Sequence, residues 1–309
     1  NDSTSEYRED KETVSNAVSL NALNYLNLLA YLLNACVTYA VGQYGETNIG
    51  DQSDLYQSIV TPAGWAFSIW GVIFISQLVF AIVQLLPSFR SLPIVQDGVG
   101  YWYIAACTFQ IAWTPLFTYD IIWASLVAML LILGSLIGLV TSQYFTNDSS
   151  SKRRVLEFWV LKFPFAIHCG WICAATALNV NVVVVFYGAS VPTQLTIGIL
   201  SLAVLHAVAL FVLYVPNKPN YTIPLVLAWA NGAIASELST PEVSISNRFS
   251  EDIILGVKNA AASVSVIVLT LVFVRLMISC YKCSSMRKTP QEVKSLNPSH
   301  EGVVMAVIP

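Results

Sequence analysis

Charge is what this sequence has least of. Only 11% of its 309 residues are Asp, Glu, Lys or Arg, against 56% hydrophobic, whereas a soluble domain carries roughly 25% charged residues. Water is therefore not the main solvent for the fold. Several chemistries also lack their parts. With three histidines and no nucleophile–base pair, hydrolysis has no evident catalyst. No glycine-rich loop is present to cradle a nucleotide phosphate, and no pair of carboxylates lies inside an apolar run to relay protons. The net charge of −3 offers no footprint for a nucleic acid. Residues 1–19 are polar and acidic, so no cleavable signal peptide is read there. Neither a sequence repeat nor the inverted symmetry of many secondary transporters is evident.

The six cysteines follow the same logic. Cys36, Cys107, Cys169 and Cys173 fall within apolar runs, and Cys280 and Cys283 lie at the inner end of the last one, so no disulfide framework is expected. The Cys280–Cys283 spacing has no second ligand pair nearby for zinc. Beside basic residues, these two thiols are either palmitoylated or plain juxtamembrane cysteines.

What the chain has is apolar length. Runs near the roughly 20 residues that span a hydrocarbon core recur at 20–42, 63–86, 101–118, 121–143, 158–182, 194–215, 221–237 and 255–280. The seventh is short and contains Pro224. The expected fold is all-α, a polytopic transmembrane bundle of about eight spans. It is flanked by flexible tails at 1–19 and 284–309, with no separate soluble domain. With eight crossings, eleven of the 15 basic residues collect on one side, among them Arg8, Lys11, Arg90, Lys152, Arg153, Arg154 and Lys218; only Arg248 and Lys258 fall opposite. The positive-inside rule then puts both termini on the cytoplasm-equivalent side. Lys162 and Arg275 lie near span ends, where their heads can snorkel to the interface.

Within the spans, polar and aromatic residues are patterned. Asn24, Asn27, Tyr31, Asn34 and Thr38 recur every three or four residues, giving the first span one polar face. Amides cannot face lipid cheaply, so this stripe either bonds neighbouring helices or lines a pocket. In TPAGWAFSIWGVIF (61–74), Phe67, Trp70 and Phe74 share a helical face. Gln110, Trp113 and Phe117 do so in the third span beside Pro115, which frees a backbone carbonyl and is expected to bend the helix. Trp171, Ala175 and Asn179 share a face in the fifth. Trp65, Phe67 and Trp70, the Gln110–Phe117 group, Thr176 and Asn179, and Asn34 and Thr38 all reach the outer half of the membrane under the 43–62 loop. An aromatic wall with a few amides suits a small-molecule pocket; belt placement and packing are the alternative for any single Trp. His168 and His206 read as interior histidines, and Asp120 as a turn residue in a tight outer hairpin.

The segments TPAGWAFSIWGVIF, QIAWTPLF (110–117) and PFAIHCGWICAATALN (164–179) resemble the TspO/MBR family of tryptophan-rich sensory and translocator proteins. The resemblance implies a five-helix membrane core over 20–186. Residues 187–283, including YTIPLVLAWANGAIASE, resemble the three additional helices of a longer subgroup. It also implies binding of porphyrin, haem, sterols or synthetic aromatic ligands, and homodimers. Trp65, Phe67 and Trp70 correspond to the family's aromatic entry to helix two. Trp113, Pro115 and Phe117 correspond to helix three, and Trp171, Ala175 and Asn179 to helix five. Gln110 stands where the family usually has Asn, and a single Pro62 replaces a Trp- and Pro-rich entry. Asn181–Phe186, NVVVVF, lacks the residues of the sterol motif.

The function expected is binding of a hydrophobic, planar small molecule for sensing, sequestration or transfer. Trp70, Trp113 and Trp171 would stack on it, and Gln110 and Asn179 would orient its polar edge. No catalytic or metal residues are assigned; light-dependent tetrapyrrole degradation is implied only by the resemblance. The partners expected are membrane lipid and the small molecule. Competing readings are a structural subunit of a larger membrane complex and a secondary transporter.

Overall fold

The computed structural model describes residues 20–42, 48–146 and 154–295, with residues 154 and 282–295 described through their backbone alone. Eight long helices correspond to the eight predicted runs: α1 Ala22–Ala40, α3 Ile69–Val83, α4 Trp102–Thr118, α5 Ile122–Phe145, α6 Phe163–Phe186, α7 Val191–Tyr214, α8 Thr222–Glu237 and α9 Glu251–Ser295. The short α2, Ile49–Leu55, lies in the first outer loop. No strand occurs among the described residues. The tails at 1–19 and 296–309, with Arg8, Lys11, Lys152 and Arg153, lie outside the described residues, as does the Cys283 side chain. α9 continues past the predicted end at 280 and, despite Pro290, runs through part of the segment expected to be a tail.

Among the described residues, five stretches are long and apolar enough to cross a bilayer by length and composition: Gly64–Val83, Ile122–Phe145, Val155–Phe186, Val191–Tyr214 and Glu251–Tyr281. The other three are α1, diluted by its amides, and the shorter α4 and α8, of 17 and 16 residues.

Local chemistry sets the helix starts. Asn21 and Asn24 cap α1 reciprocally, each side chain accepting from the other's backbone N–H at 3.1 and 3.2 Å, which satisfies donors that the helix leaves open. Pro192 sits in the first turn of α7, where the missing N–H costs nothing; Pro164 directly follows a π-helical turn, Phe158–Lys162, that leads into α6 without a break. α3 is preceded by a 3-10 turn, Gly64–Ser68. Pro115 lies inside α4, and the helix continues through it to Thr118.

Packing joins α1 to α4, α4 to α5, α5 to α6, α6 to α3 and α3 back to α1, closing a ring of five helices. α8 packs on the far side of α6, with α7 and α9 against it. The polar stripe of α1 faces inward. Asn24 donates to Gln84 Oε1 at 2.9 Å, Gln84 donates to the Asn24 carbonyl at 2.8 Å, and the Tyr31 hydroxyl donates to the Phe74 carbonyl at 3.1 Å. These bonds hold α1 to α3 where water is absent. The junction of ring and trio depends on Gly170: a Cβ there would meet Val226 Cβ at 2.9 Å and Ile223 Cα at 3.3 Å.

The outer loops are folded onto the bundle. Gln52 of α2 donates to the Thr118 carbonyl and to Asp120 Oδ1, both at 3.0 Å, and the Tyr56 hydroxyl donates to Asp120 Oδ1 at 2.9 Å. Asp120 has φ +62°, the left-handed conformation that Asp tolerates better than most residues; as expected of it, it is the turn residue of the α4–α5 hairpin. Ile59 and Val60 pack with Ile245 and Phe249 of the other outer loop, and Ala63 N–H donates to the Ala233 carbonyl at 3.1 Å.

Leucine at position 170 should force α6 and α8 apart and lower stability in detergent by about 1–3 kcal/mol. Alanine at Gly134, where a Cβ meets nothing within 4 Å, should not. Thermal unfolding followed by cysteine accessibility checks the pair.

Candidate functional site

Two hollows sit beneath α2 and share a wall. The inner one, about 50 Å³, is apolar. Its rings are Phe67, Trp70, Trp113, Phe117 and Trp171; Ala174, Ala175 and Asn179 of α6 line it too, together with Ser201, Leu202 and Leu205 of α7 and Ala230 and Ile234 of α8. The outer one, about 540 Å³, is a vestibule bordered by Thr38, Tyr39, Ser53, Asp54, Gln57, Phe74, Gln110, Glu237 and Glu242. Phe67, Trp70 and Trp113 belong to both, so these rings form the partition.

Ring geometry fixes that partition. Trp113 stacks on Phe117, with centroids 5.0 Å apart and planes 16° apart. Trp171 is met edge-on by Phe67 at 5.6 Å and by Trp70 at 6.3 Å. Such offset and T-shaped pairs are the favoured aromatic arrangements. Trp70 also meets His168 at 5.7 Å. The His168 ring is held from behind: Gln77 Nε2 lies 2.8 Å from Nδ1, and the Tyr103 hydroxyl donates to Gln77 Oε1 at 3.2 Å. His168 thus supports Trp70 from the interior, the position expected of it, but only Nδ1 is bonded: Nε2 is buried without a partner.

The polar groups of the site are loosely engaged. Trp113 Nε1 donates to Asn179 Oδ1 at 3.4 Å, and Asn179 exchanges bonds of 3.3 and 3.4 Å with Ser125 Oγ; these are long against a usual 2.9–3.0 Å. Trp171 Nε1 and Gln110 Oε1 are buried and have no partner. A buried donor or acceptor left open costs about 1–3 kcal/mol, so each favours a partner arriving in the hollow. At the rim, partial burial first, then Glu242 and Asp51, push the Asp54 carboxyl above the usual carboxylate range, while a hydrogen bond from Gln57 pulls it back.

Of the predicted site residues, Phe67, Trp70, Trp113, Phe117, Trp171, Ala175 and Asn179 line the inner hollow, and Gln110 lines the vestibule. Two are placed elsewhere. Trp65 borders neither hollow; it is 47% exposed, meets Trp229 edge-on at 4.7 Å and donates to Ser236 Oγ at 3.4 Å. Trp65 stands two residues before Phe67 and five before Trp70, spacings that take it off their shared face in an α-helix or a 3-10 turn alike; it lines up instead with the exposed Ser68. Asn34 is fully buried beside Cys107 Sγ, at 3.9 Å, and accepts from Thr38 Oγ1 at 3.3 Å. It lies a helical turn deeper than Thr38, which does reach the vestibule. Thr176 bonds its own helix, to the Ile172 carbonyl at 2.7 Å. The residues from α7 and α8 carried no signal in the sequence, because they are ordinary apolar or small residues in near-uniform runs.

The profile of the TSPO-like protein family matches residues 24–275. This chain belongs to the TSPO-like protein family. Compared with curated proteins and with solved structures, it matches none. The family match runs through α7, α8 and most of α9, so the helices beyond the ring are part of what makes this a TSPO-like protein, and they supply one wall of its inner hollow.

One carboxylate supplies two of the ties that hold the α2 roof. Asp120→Ala removes the acceptor of Tyr56 and one acceptor of Gln52, whose bond to the Thr118 carbonyl stays, and leaves a β-carbon at φ +62°; Asp120→Gly removes the same acceptor and also the β-carbon that this φ strains. Amide exchange over 49–57 should quicken in both variants. The alanine variant should lose about 1–2 kcal/mol more of local stability.

Proposed function

We propose that this TSPO-like protein is an integral membrane binder of an apolar, planar small molecule, acting in its sensing, sequestration or transfer rather than in bond chemistry. One observation carries the reading: a hollow walled by three indoles whose polar groups are unpartnered or weakly bonded. A site of this composition holds flat apolar molecules by ring contact and orients them with a few hydrogen bonds. Trp70, Trp113 and Trp171 are the stacking surfaces. Trp171 Nε1–H and the Asn179 amide meet the ligand's polar edge in the inner hollow, and Gln110 Oε1 meets it in the vestibule.

Size limits how a ligand enters. Small-molecule sites usually enclose about 300–1,000 Å³. The inner hollow, near 50 Å³, falls below that range, whereas the vestibule at about 540 Å³ lies within it. A tetrapyrrole-sized ligand therefore occupies the vestibule first and reaches inward only when Phe67 and Trp70, both half-buried, swing aside. On the distribution of Lys and Arg we place both termini on the cytoplasm-equivalent side, with the vestibule on the opposite face. Binding by a monomer or homodimer separates this reading from that of a subunit: light scattering of the gently extracted protein should give one of those two masses, and a larger fixed assembly would favour the subunit.

Two variants test the site. Trp113→Ala with Trp171→Ala should abolish quenching of the remaining tryptophan fluorescence by protoporphyrin. Because removing buried indoles costs about 3–5 kcal/mol each, Ala175→Phe serves as a second probe: it keeps all eight tryptophans and fills the inner hollow. It should weaken protoporphyrin binding about ten-fold or more, a loss of roughly 1.4 kcal/mol. Unchanged quenching in both folded variants would reject the site.

A further inference from the structure

The vestibule is unlike the hollow behind it. Its rim carries three carboxylates, Asp54, Glu237 and Glu242, and none of its lining residues is Lys, Arg or His. Three buried acceptors border the same space without a partner: Gln110 Oε1, Gln57 Oε1 and Ser53 Oγ, on side chains 1%, 5% and 4% exposed. The Gln57 amide is already turned to Glu237 Oε1, at 3.4 Å, which leaves its carbonyl oxygen open. Five rings line the vestibule as well: Tyr39, Phe67, Trp70, Phe74 and Trp113. Phe74 meets Tyr39 at 5.4 Å and Trp70 at 5.9 Å.

Each of these features favours positive charge. Carboxylates around a low-dielectric cleft raise the local concentration of cations. Unpartnered oxygens accept from an N–H donor, and aromatic faces attract ammonium groups, quaternary ones included. A small metal ion does not fit as well, since among the described residues no three His, Cys, Asp or Glu side chains converge closely enough to hold one. A zwitterionic lipid head would bring a phosphate against three carboxylates with no basic lining residue to receive it. The crowding of Asp54 by Glu242, which helps to push its carboxyl up, is the repulsion that a bound cation would relieve.

We propose that the vestibule is a site for an organic cation, the ammonium head of a net-positive amphiphile whose flat apolar body enters the inner hollow. This rests on the ligand-binding reading above and adds the charge of the ligand.

The test uses the full chain in nanodiscs and three probes with one body: 9-anthracenylmethylammonium, whose head carries N–H donors, 9-anthracenemethanol and 9-anthracenecarboxylate, each read by energy transfer from tryptophan. The ammonium should bind about ten-fold tighter than the alcohol, and the carboxylate more weakly than either. Asp54→Asn with Glu242→Gln should bring the ammonium to the affinity of the alcohol. Short-chain phosphatidylcholine should not displace the ammonium probe; displacement would assign the vestibule to a lipid head and overturn the proposal. If the alcohol binds and the ammonium gains nothing, or the carboxylate binds best, the cation inference fails while the binding reading stands. If no probe binds, both fall.

Discussion

A bilayer cannot hydrogen-bond a side chain, and the rest of this structure follows from that constraint. An amide carried into the apolar spans is costly unless another helix or an enclosed hollow gives it a partner. The α1 stripe shows both solutions. Asn24 and Tyr31 tie it to Gln84 and the Phe74 carbonyl, and four residues beyond Asn34, Thr38 opens onto the vestibule. Asn27 takes neither course: it is fully buried, with both side-chain atoms unpartnered, and nothing in the structure explains it. Hydrogen-bonded pairs thus close the ring at depth, and the hollows open where the polar groups rise to meet the outer loops.

The second organising element is the position of α6. It is a member of the five-helix ring and also the helix against which α7 and α8 pack. Small residues make this double duty feasible: Gly170 admits Val226 and Ile223, and Ala174 and Ala175 leave room for the inner hollow. A cavity at such a junction is walled by two packing units. Its size therefore depends on how α7 and α8 sit as well as on the ring. The roof is equally composite, since α2 is tied to the α4–α5 hairpin through Asp120 and the following loop to α8 and the last outer loop through Ala63, Ile59 and Val60.

The chain reads well where a single physical period dominates. Apart from the far end of α9, which runs on to Ser295, apolar run lengths gave helix ends within about six residues, because hydrocarbon thickness fixes how long such a helix must be. The faces of α4 and α6 were legible for the same reason: Trp113 with Phe117, and Trp171 with Ala175 and Asn179, obey the 3.6-residue repeat that the folded chain keeps. Trp65 was grouped with Phe67 and Trp70 by depth alone, whereas its spacing from them puts it on another side of the chain. Asn34 was placed too shallow because a polar stripe gives a face but not the level at which neighbours leave space.

What the amino-acid order determined alone was solvent, element type and facing. Scarce charge required lipid, run length required helices, and periodic indoles and amides required an inward side. What only the assembled bundle decided was which of those inward sides meet. The walls from α7 and α8, the division of one hollow into an apolar chamber and an acidic vestibule, and the edge-on contacts that make Trp70 a partition all arise between residues far apart in the chain. Periodicity within a helix carries no information about its rotation relative to another helix. That rotation is set by close packing and by the pairing of buried polar groups, both of which exist only after the helices have come together.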